Sequence, residues 1–199
     1  MTSSDTVTVL LCGVGGQGTI LAADILAHTA MEAGFDVKVS EIHGMSQRGG
    51  SVTTVVRFGR TPVFSMVADL GACDCVVSFE TTEALRNLPY VREGGYLLVA
   101  DETIQPMTVL TGRAAMPENP HAQLAAANAT IIPAGDIARQ VESPKSVNVV
   151  LLGALASQLE FPIEAWERTV ERRVPPKSIE ANIRAFRAGL AFAEARKES

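Results

Sequence analysis

Cysteine is scarce in this chain. Only Cys12, Cys73 and Cys75 occur among 199 residues, and no pair has C-x-x-C spacing. An odd, small set in or beside apolar strand-like runs points to reduced thiols in a cytoplasmic protein, not to a disulfide framework. Four-thiolate ligation of an iron–sulfur cluster within the chain is excluded by counting. Cys73 and Cys75 stand two apart, which on a regular strand places them on one face. A metal pair is one reading; two small core hydrophobes is the favoured one. Basic blocks are missing too. With 17 Lys and Arg against 22 Asp and Glu the net charge is −5, which argues against nucleic acid and against an anionic membrane surface. No apolar run approaches the roughly 20 residues of a membrane span; the longest is Val149 to Ala156, Gly153 included. Met1 to Thr6 has no basic residue and no apolar core, so no secretory signal is expected there.

What is present is a well-buried α/β pattern, 47% apolar and 20% charged. The length suits a single domain over residues 1–199. Strands are expected near Val7–Cys12, Asp36–Ile42, Ser51–Phe58, Cys73–Phe79, Tyr96–Ala100 and Thr130–Pro133. Gly59-Arg60-Thr61-Pro62 reads as a turn into a short strand at Val63–Met66, a hairpin that makes the open sheet mixed. Pro106–Leu110 is a further strand candidate. Helices are expected at Gly16–Ala33, Glu80–Leu88 and His121–Ala127. Val147–Leu159 is apolar all round and predicts a core helix. Ile163, Trp166 and Val170 form one helical stripe, and Ile179, Ile183, Phe186 and Leu190 form another that docks on the domain. The fold class is therefore a Rossmann-like three-layer α/β domain with a helical C-terminal region.

Two loops carry the candidate chemistry. The first strand runs into Gly13-Val14-Gly15-Gly16-Gln17-Gly18, which satisfies G-x-G-x-x-G. A glycine turn opening a helix presents N–H groups to a phosphate. A dinucleotide site also wants an acid near the end of the second strand, and Glu41 lies 23 residues past Gly18. A carboxylate there could equally bond backbone N–H groups of a neighbouring loop. Gln17 puts a side-chain amide at the helix mouth, unusual for a dinucleotide loop. The second loop, Glu41-Ile42-His43-Gly44-Met45-Ser46-Gln47-Arg48-Gly49-Gly50-Ser51, gathers an acid, an imidazole, an amide, a guanidinium and two hydroxyls among three glycines. Arg48 is a fork suited to phosphate or carboxylate; the plain alternative is a solvated turn. His43 has no second His nearby, so no metal site is expected, and no nucleophile is paired with a base at a recognisable spacing.

These two motifs, with Ala22-Ala23 after the first and Asn148-Val149-Val150-Leu151-Leu152-Gly153-Ala154-Leu155 later, resemble the gamma-type domain of 2-oxoacid:ferredoxin oxidoreductases. His43-Gly44-Met45-Ser46-Gln47-Arg48-Gly49-Gly50 is spelled most like the small beta subunit of the indolepyruvate branch. Thr103 to Ser146 carries little of the family's signal. The resemblance implies a heteromeric enzyme that oxidatively decarboxylates a 2-oxoacid to an acyl-CoA and passes electrons to ferredoxin. It implies that this chain alone binds no cofactor, that thiamine diphosphate and iron–sulfur clusters sit in a larger partner subunit, and that coenzyme A is co-substrate. Gly13, Gly15, Gly16, Gln17, Gly18, Glu41, His43, Ser46, Gln47, Arg48, Gly49, Gly50 and Ser51 would then face a ligand or the partner, with no catalytic role assigned to any. A free-standing nicotinamide or flavin reductase and a ligand-free interaction module remain as alternatives.

Overall fold

A computed structural model describes residues 6–43 and 50–197. Its strands are β1 (Thr6–Val14), β2 (Asp36–His43), β3 (Ser51–Gly59), β4 (Cys73–Ser78), β5 (Val91–Ala100) and β6 (Thr130–Ile132). Its helices are α1 (Thr19–Glu32), α2 (Thr81–Asn87), α3 (Met107–Leu110), α4 (Pro120–Ala126), α5 (Ala134–Gln140), α6 (Val147–Ala156), α7 (Ile163–Arg173) and α8 (Ile179–Lys197). The strands form one sheet in the order β2-β3-β1-β4-β5-β6. β3 is antiparallel to both β1 and β2, while β1, β4, β5 and β6 run parallel. The sheet is mixed as expected, but for a different reason. The expected strand at Val63–Met66 does not form. Its backbone is held by side chains instead: the Val63 N–H donates to Asp36 Oδ2 at 2.7 Å, and Arg57 Nη1 donates to the Ser65 and Val67 carbonyls at 3.1 and 3.2 Å. The antiparallel member is β3 itself, inserted between β2 and β1.

Alternation divides the core by sheet face. Val9, Leu11, Val56, Phe58, Cys75, Val77 and Leu98 pack with α1, α6 and α8 in the larger cluster. Leu10, Cys12, Val55, Val76 and Val99 pack with α2 and α4 in the smaller one. α6 is buried from Asn148 to Ala156, as its uniform apolarity predicts. α8 lies against it so closely that a Cβ on Gly153 would overlap the Phe186 carbonyl oxygen, and one on Gly189 the Val150 carbonyl oxygen. Those two glycines allow near backbone contact, and Phe186 is wholly buried beside Trp166. The stripe on α8 thus docks on the domain.

Three local expectations are corrected. Pro106–Leu110 is a loop and the short helix α3, not a strand. α5 was not anticipated; the sequence reading ended a strand at Pro133 and assigned nothing to Ala134–Gln140. Pro133 in fact stands just before the helix, where a missing N–H costs nothing. Cys73 and Cys75 do not share a face: the register of β4 against β5 shifts between them, and Cys73 joins the smaller cluster while Cys75 joins the larger.

Candidate functional site

At the carboxyl end of β1 the glycine turn is drawn tight by Gln17. Its Oε1 accepts the Val14 N–H at 2.7 Å, and its Nε2 donates to the Phe79 carbonyl at 2.9 Å. The amide that looked available to a ligand therefore bridges β1 to the end of β4. Gly13 makes room for that bridge, since a Cβ there would stand 2.7 Å from Gln17 Oε1 and 2.9 Å from Phe79 Cβ. Gly18 begins α1 at φ 82°, and a Cβ on it would stand 2.6 Å from Asn148 Nδ2. Asn148 Nδ2 in turn donates to the Gly18 carbonyl at 3.3 Å. Gly16, at φ 106°, has open space where a side chain would be. Of the motif, then, Gly13 and Gly18 serve internal packing, and Gly16 leaves the turn's outer surface bare.

The two loops meet. The Gly15 N–H donates to the Gly50 carbonyl at 2.9 Å. Ser51 Oγ donates to Glu83 Oε2 at 2.6 Å, and Glu83 is also paired with Arg86 at 3.1 Å. One turn earlier Glu80 caps α2, accepting the Thr82 N–H at 2.9 Å on Oε2 and the Glu83 N–H on Oε1. Glu80 is 1% exposed and Glu83 3%. Burial pushes the Glu80 carboxyl above the usual glutamate range, against the opposing pull of those N–H groups. These two acids were missed from sequence. Their spacing, an N-cap and the third helical position, was visible, but Glu is not a customary N-cap residue. Ser46, Gln47, Arg48 and Gly49 lie outside the described residues, as does the side chain of His43.

Beside the glycine turn opens a cleft of about 340 Å³, lined by Gly16, Gln17, Glu102, Arg139, Lys145 and Val147 among others. No acidic residue stands in the first turn of α1. A bare glycine turn and two cations in the lining favour an anionic group, opposed by the Glu102 carboxylate in the same cleft. Arg139 is already engaged by Asp136, so Lys145 is the cation better placed to serve such a group. Lys145 and Arg139 fall in the stretch where sequence had shown no motif.

Glu41 is elsewhere. It shares a groove with Val37, Val39 and residues of α1, on the face expected from alternation. In strand order β3 separates β2 from β1, so Glu41 stands two strand spacings, about 10 Å, from the strand that carries the glycine turn. In a dinucleotide fold the acid-bearing strand adjoins the first strand directly. The strand order therefore differs from that of a dinucleotide fold at this point.

The thiols do not fit a metal or cluster. Burial pushes Cys12 and Cys73 up to about 12, and pushes Cys75 up as well. They are protonated side chains in two separate core clusters, whereas ligation needs thiolates converging on one point.

An open mixed sheet with helices packed on both faces defines an α/β domain. The chain belongs to the pyruvate ferredoxin/flavodoxin oxidoreductase family, whose model matches residues 8–192. It is 37% identical over 193 residues to the indolepyruvate oxidoreductase subunit IorB of Thermococcus kodakarensis, covering 94% of this chain and 95% of that one. Among solved structures it resembles the gamma subunit of a keto/oxoacid ferredoxin oxidoreductase from Geobacter sulfurreducens, with a TM-score of 0.71, 26% identity, and coverage of 95% and 99% of the two chains. The same fold recurs in the 2-oxoglutarate:ferredoxin oxidoreductase of Magnetococcus marinus, with a TM-score of 0.74 at 19% identity, where 97% of this chain covers 32% of the longer one.

Proposed function

We propose that this chain is the small subunit of a heteromeric 2-oxoacid:ferredoxin oxidoreductase of the indolepyruvate, or arylpyruvate, type. The reaction is oxidative decarboxylation of the 2-oxoacid to an acyl-CoA, with electrons passed to ferredoxin. The observation that carries this reading is near end-to-end likeness to the Thermococcus subunit. Thiamine diphosphate and the iron–sulfur clusters belong to a larger partner subunit, in keeping with the buried, protonated and divided thiols of this chain. The whole of 1–199 acts as one gamma-type domain, in the cytoplasm. Among the described residues no helix is long and apolar enough to cross a membrane.

This chain's own part is positional. The Gln17 bridge and the Asn148 contact fix the glycine turn, and the turn holds the start of β3 through Gly50. By resemblance, Arg48 and its neighbours face the partner or the coenzyme A side of the active site. The cleft with Lys145 suits a phosphate of that co-substrate.

The test is reconstitution. Alone, the chain turns over nothing. With its larger subunit added anaerobically, indolepyruvate and coenzyme A together drive reduction of ferredoxin or a viologen dye. A folded, associated pair that reduces neither acceptor with any 2-oxoacid refutes the activity. A thermal-shift screen against nicotinamide and flavin cofactors addresses the other reading: a ligand held at 100 times its dissociation constant adds about 2.7 kcal/mol, and none of these cofactors is expected to.

A further inference from the structure

The amino ends of the parallel strands form the edge of the sheet opposite the glycine turn. Val7 and Gly13 stand six residues apart on β1, a distance of about 20 Å along a strand. A cavity of about 500 Å³ opens at this amino edge, within the size range of small-molecule sites. Three phenylalanines distant in sequence make its wall. Phe58 stands near the end of β3, which the antiparallel register sets beside Val7. Phe35 follows α1 and Phe161 follows α6. Their ring centroids lie 5.7, 5.4 and 5.1 Å apart. Four charged residues line the cavity with them: Arg60, Asp74, Arg92 and Glu160. Two of these are spent on each other. Arg92 Nε donates to Asp74 Oδ1 at 2.7 Å, and Asp74 Oδ2 accepts the Thr8 N–H at 2.8 Å. The other two are free. Arg60 lies over the Phe35 ring at 4.7 Å, and its guanidinium meets no acceptor among the described residues. The Glu160 carboxylate likewise meets no cation and no donor among them.

We propose that this cavity binds a free aromatic α-amino acid, its ring against the three phenylalanines, its carboxylate on Arg60 and its ammonium on Glu160. An aromatic wall with one unpaired cation and one unpaired anion asks for a ligand that carries a ring and both charges. An arylcarboxylate would answer Arg60 but bring a second anion to a cavity where Glu160 already stands unpaired. An arylamine would answer Glu160 and leave Arg60 without an acceptor. A residue inside a peptide has neither charge, so the amino acid is a free one. A guanidinium held flat on a ring is also pre-set for the planar fork of a carboxylate. About 20 Å from the glycine turn, the ligand is no reactant there. It occupies a second site on the chain, and the proposal does not depend on which reaction the complete enzyme performs.

Amide chemical shifts of the full chain, followed by two-dimensional NMR during titration, test the site. L-Phenylalanine should give saturable shifts at Arg60 and at Gln158 to Phe161 while Gly13 to Gly18 stay unmoved. 3-Phenylpropionate lacks the ammonium, phenethylamine the carboxylate and L-alanine the ring. Each should bind at least about five-fold more weakly, the loss of one charge-assisted hydrogen bond or of the ring contact. Arg60 and Glu160 are both exposed, so Arg60→Gln and Glu160→Gln should keep the wild-type spectrum away from the cavity. Each should weaken L-phenylalanine about five-fold or more. Glu160→Gln should not weaken 3-phenylpropionate, a contrast that a general loss of structure would not produce. The absence of a saturable shift with L-phenylalanine, or shifts confined to other residues, overturns the proposal. Binding of 3-phenylpropionate as tight as that of L-phenylalanine makes this an arylcarboxylate site and overturns the amino-acid assignment. Equal binding of L-alanine removes the role of the aromatic wall and overturns it as well.

Discussion

Replacing Gln17 tests whether the glycine turn is a clamp or a ligand grip. In Gln17→Ala the Val14 N–H and the Phe79 carbonyl both lose their side-chain partner. Val14 is 7% exposed and Phe79 1%, so neither group is readily compensated by water. Each buried polar group left alone costs about 1–3 kcal/mol; with partial repair by the open side of the turn, the pair should cost about 2–4 kcal/mol. Gln17→Glu separates the two bonds. The carboxylate still accepts from Val14 but meets the Phe79 carbonyl oxygen with no hydrogen to offer. It should therefore destabilise despite being isosteric, and at neutral pH by no less than half of the alanine loss. Urea denaturation followed by tryptophan fluorescence reads both, Trp166 being buried in the main core. An alanine variant within 0.5 kcal/mol of wild type, or a glutamate variant indistinguishable from it, would refute the clamp and return Gln17 to the role of a free amide awaiting a ligand.

Gly189→Ala should be more damaging than any surface change, because its Cβ would overlap the Val150 backbone of α6 and the helices must part; a loss of more than about 3 kcal/mol, or failure to fold, is expected, and a midpoint near wild type would contradict the contact. Glu80 has a folded pKa above its unfolded value, so the native state holds the proton more tightly. The stability it contributes is full below the ordinary glutamate value of about 4.3 and is lost as pH rises through the raised value. Glu80→Gln should flatten that part of the stability–pH curve; parallel curves for the two proteins would count against a buried, strained charge. The three thiols should resist iodoacetamide at pH 8 in the native state and react on unfolding, since burial holds Cys12 and Cys73 near 12. Labelling of folded protein within minutes would show that one of them is accessible as thiolate.

Much of the fold was legible because hydrophobic period and turn chemistry agreed. β1, α1, β3 and the apolar α6 follow from runs that have one reading only. The misses share a cause: long-range partners outweighed local pattern. Val63–Met66 has strand-like residues, yet Asp36 and Arg57 satisfy its backbone from another strand. The two cysteines alternate in sequence as if on a regular strand, but the register shift lies in the pairing with β5, which one strand's letters do not contain. α5 begins just after a proline, and the Glu102 carboxylate lies against its Gly135. In the site, both glycine motifs were found from sequence, and the Gly15 N–H sets the first against the start of β3 at Gly50. Glu80, Glu83 and Lys145 were not found, since acids at a helix start and a lone lysine in a loop are common on any surface.

The glycine motif itself shows why spacing underdetermines role. G-x-G-x-x-G asks for a tight turn, a close approach and close packing, and residues of this chain itself supply partners for the last two. The close approach at Gly13 is by Gln17 and Phe79 of the same chain, and the close packing at Gly18 is by Asn148 of α6. Each contact couples the turn to a different part of the scaffold: β4 through Phe79, α6 through Asn148 and β3 through Gly50. Inserting an antiparallel β3 beside β1 is what makes this possible. It moves Glu41 one strand further out and brings the start of β3, with Gly50 and Ser51, against the turn instead. The position a ribose-binding acid would occupy is taken by the root of the Arg48 loop. The turn thereby holds the start of β3 through Gly15 and Gly50, and its open side at Gly16 shares a cleft with Lys145.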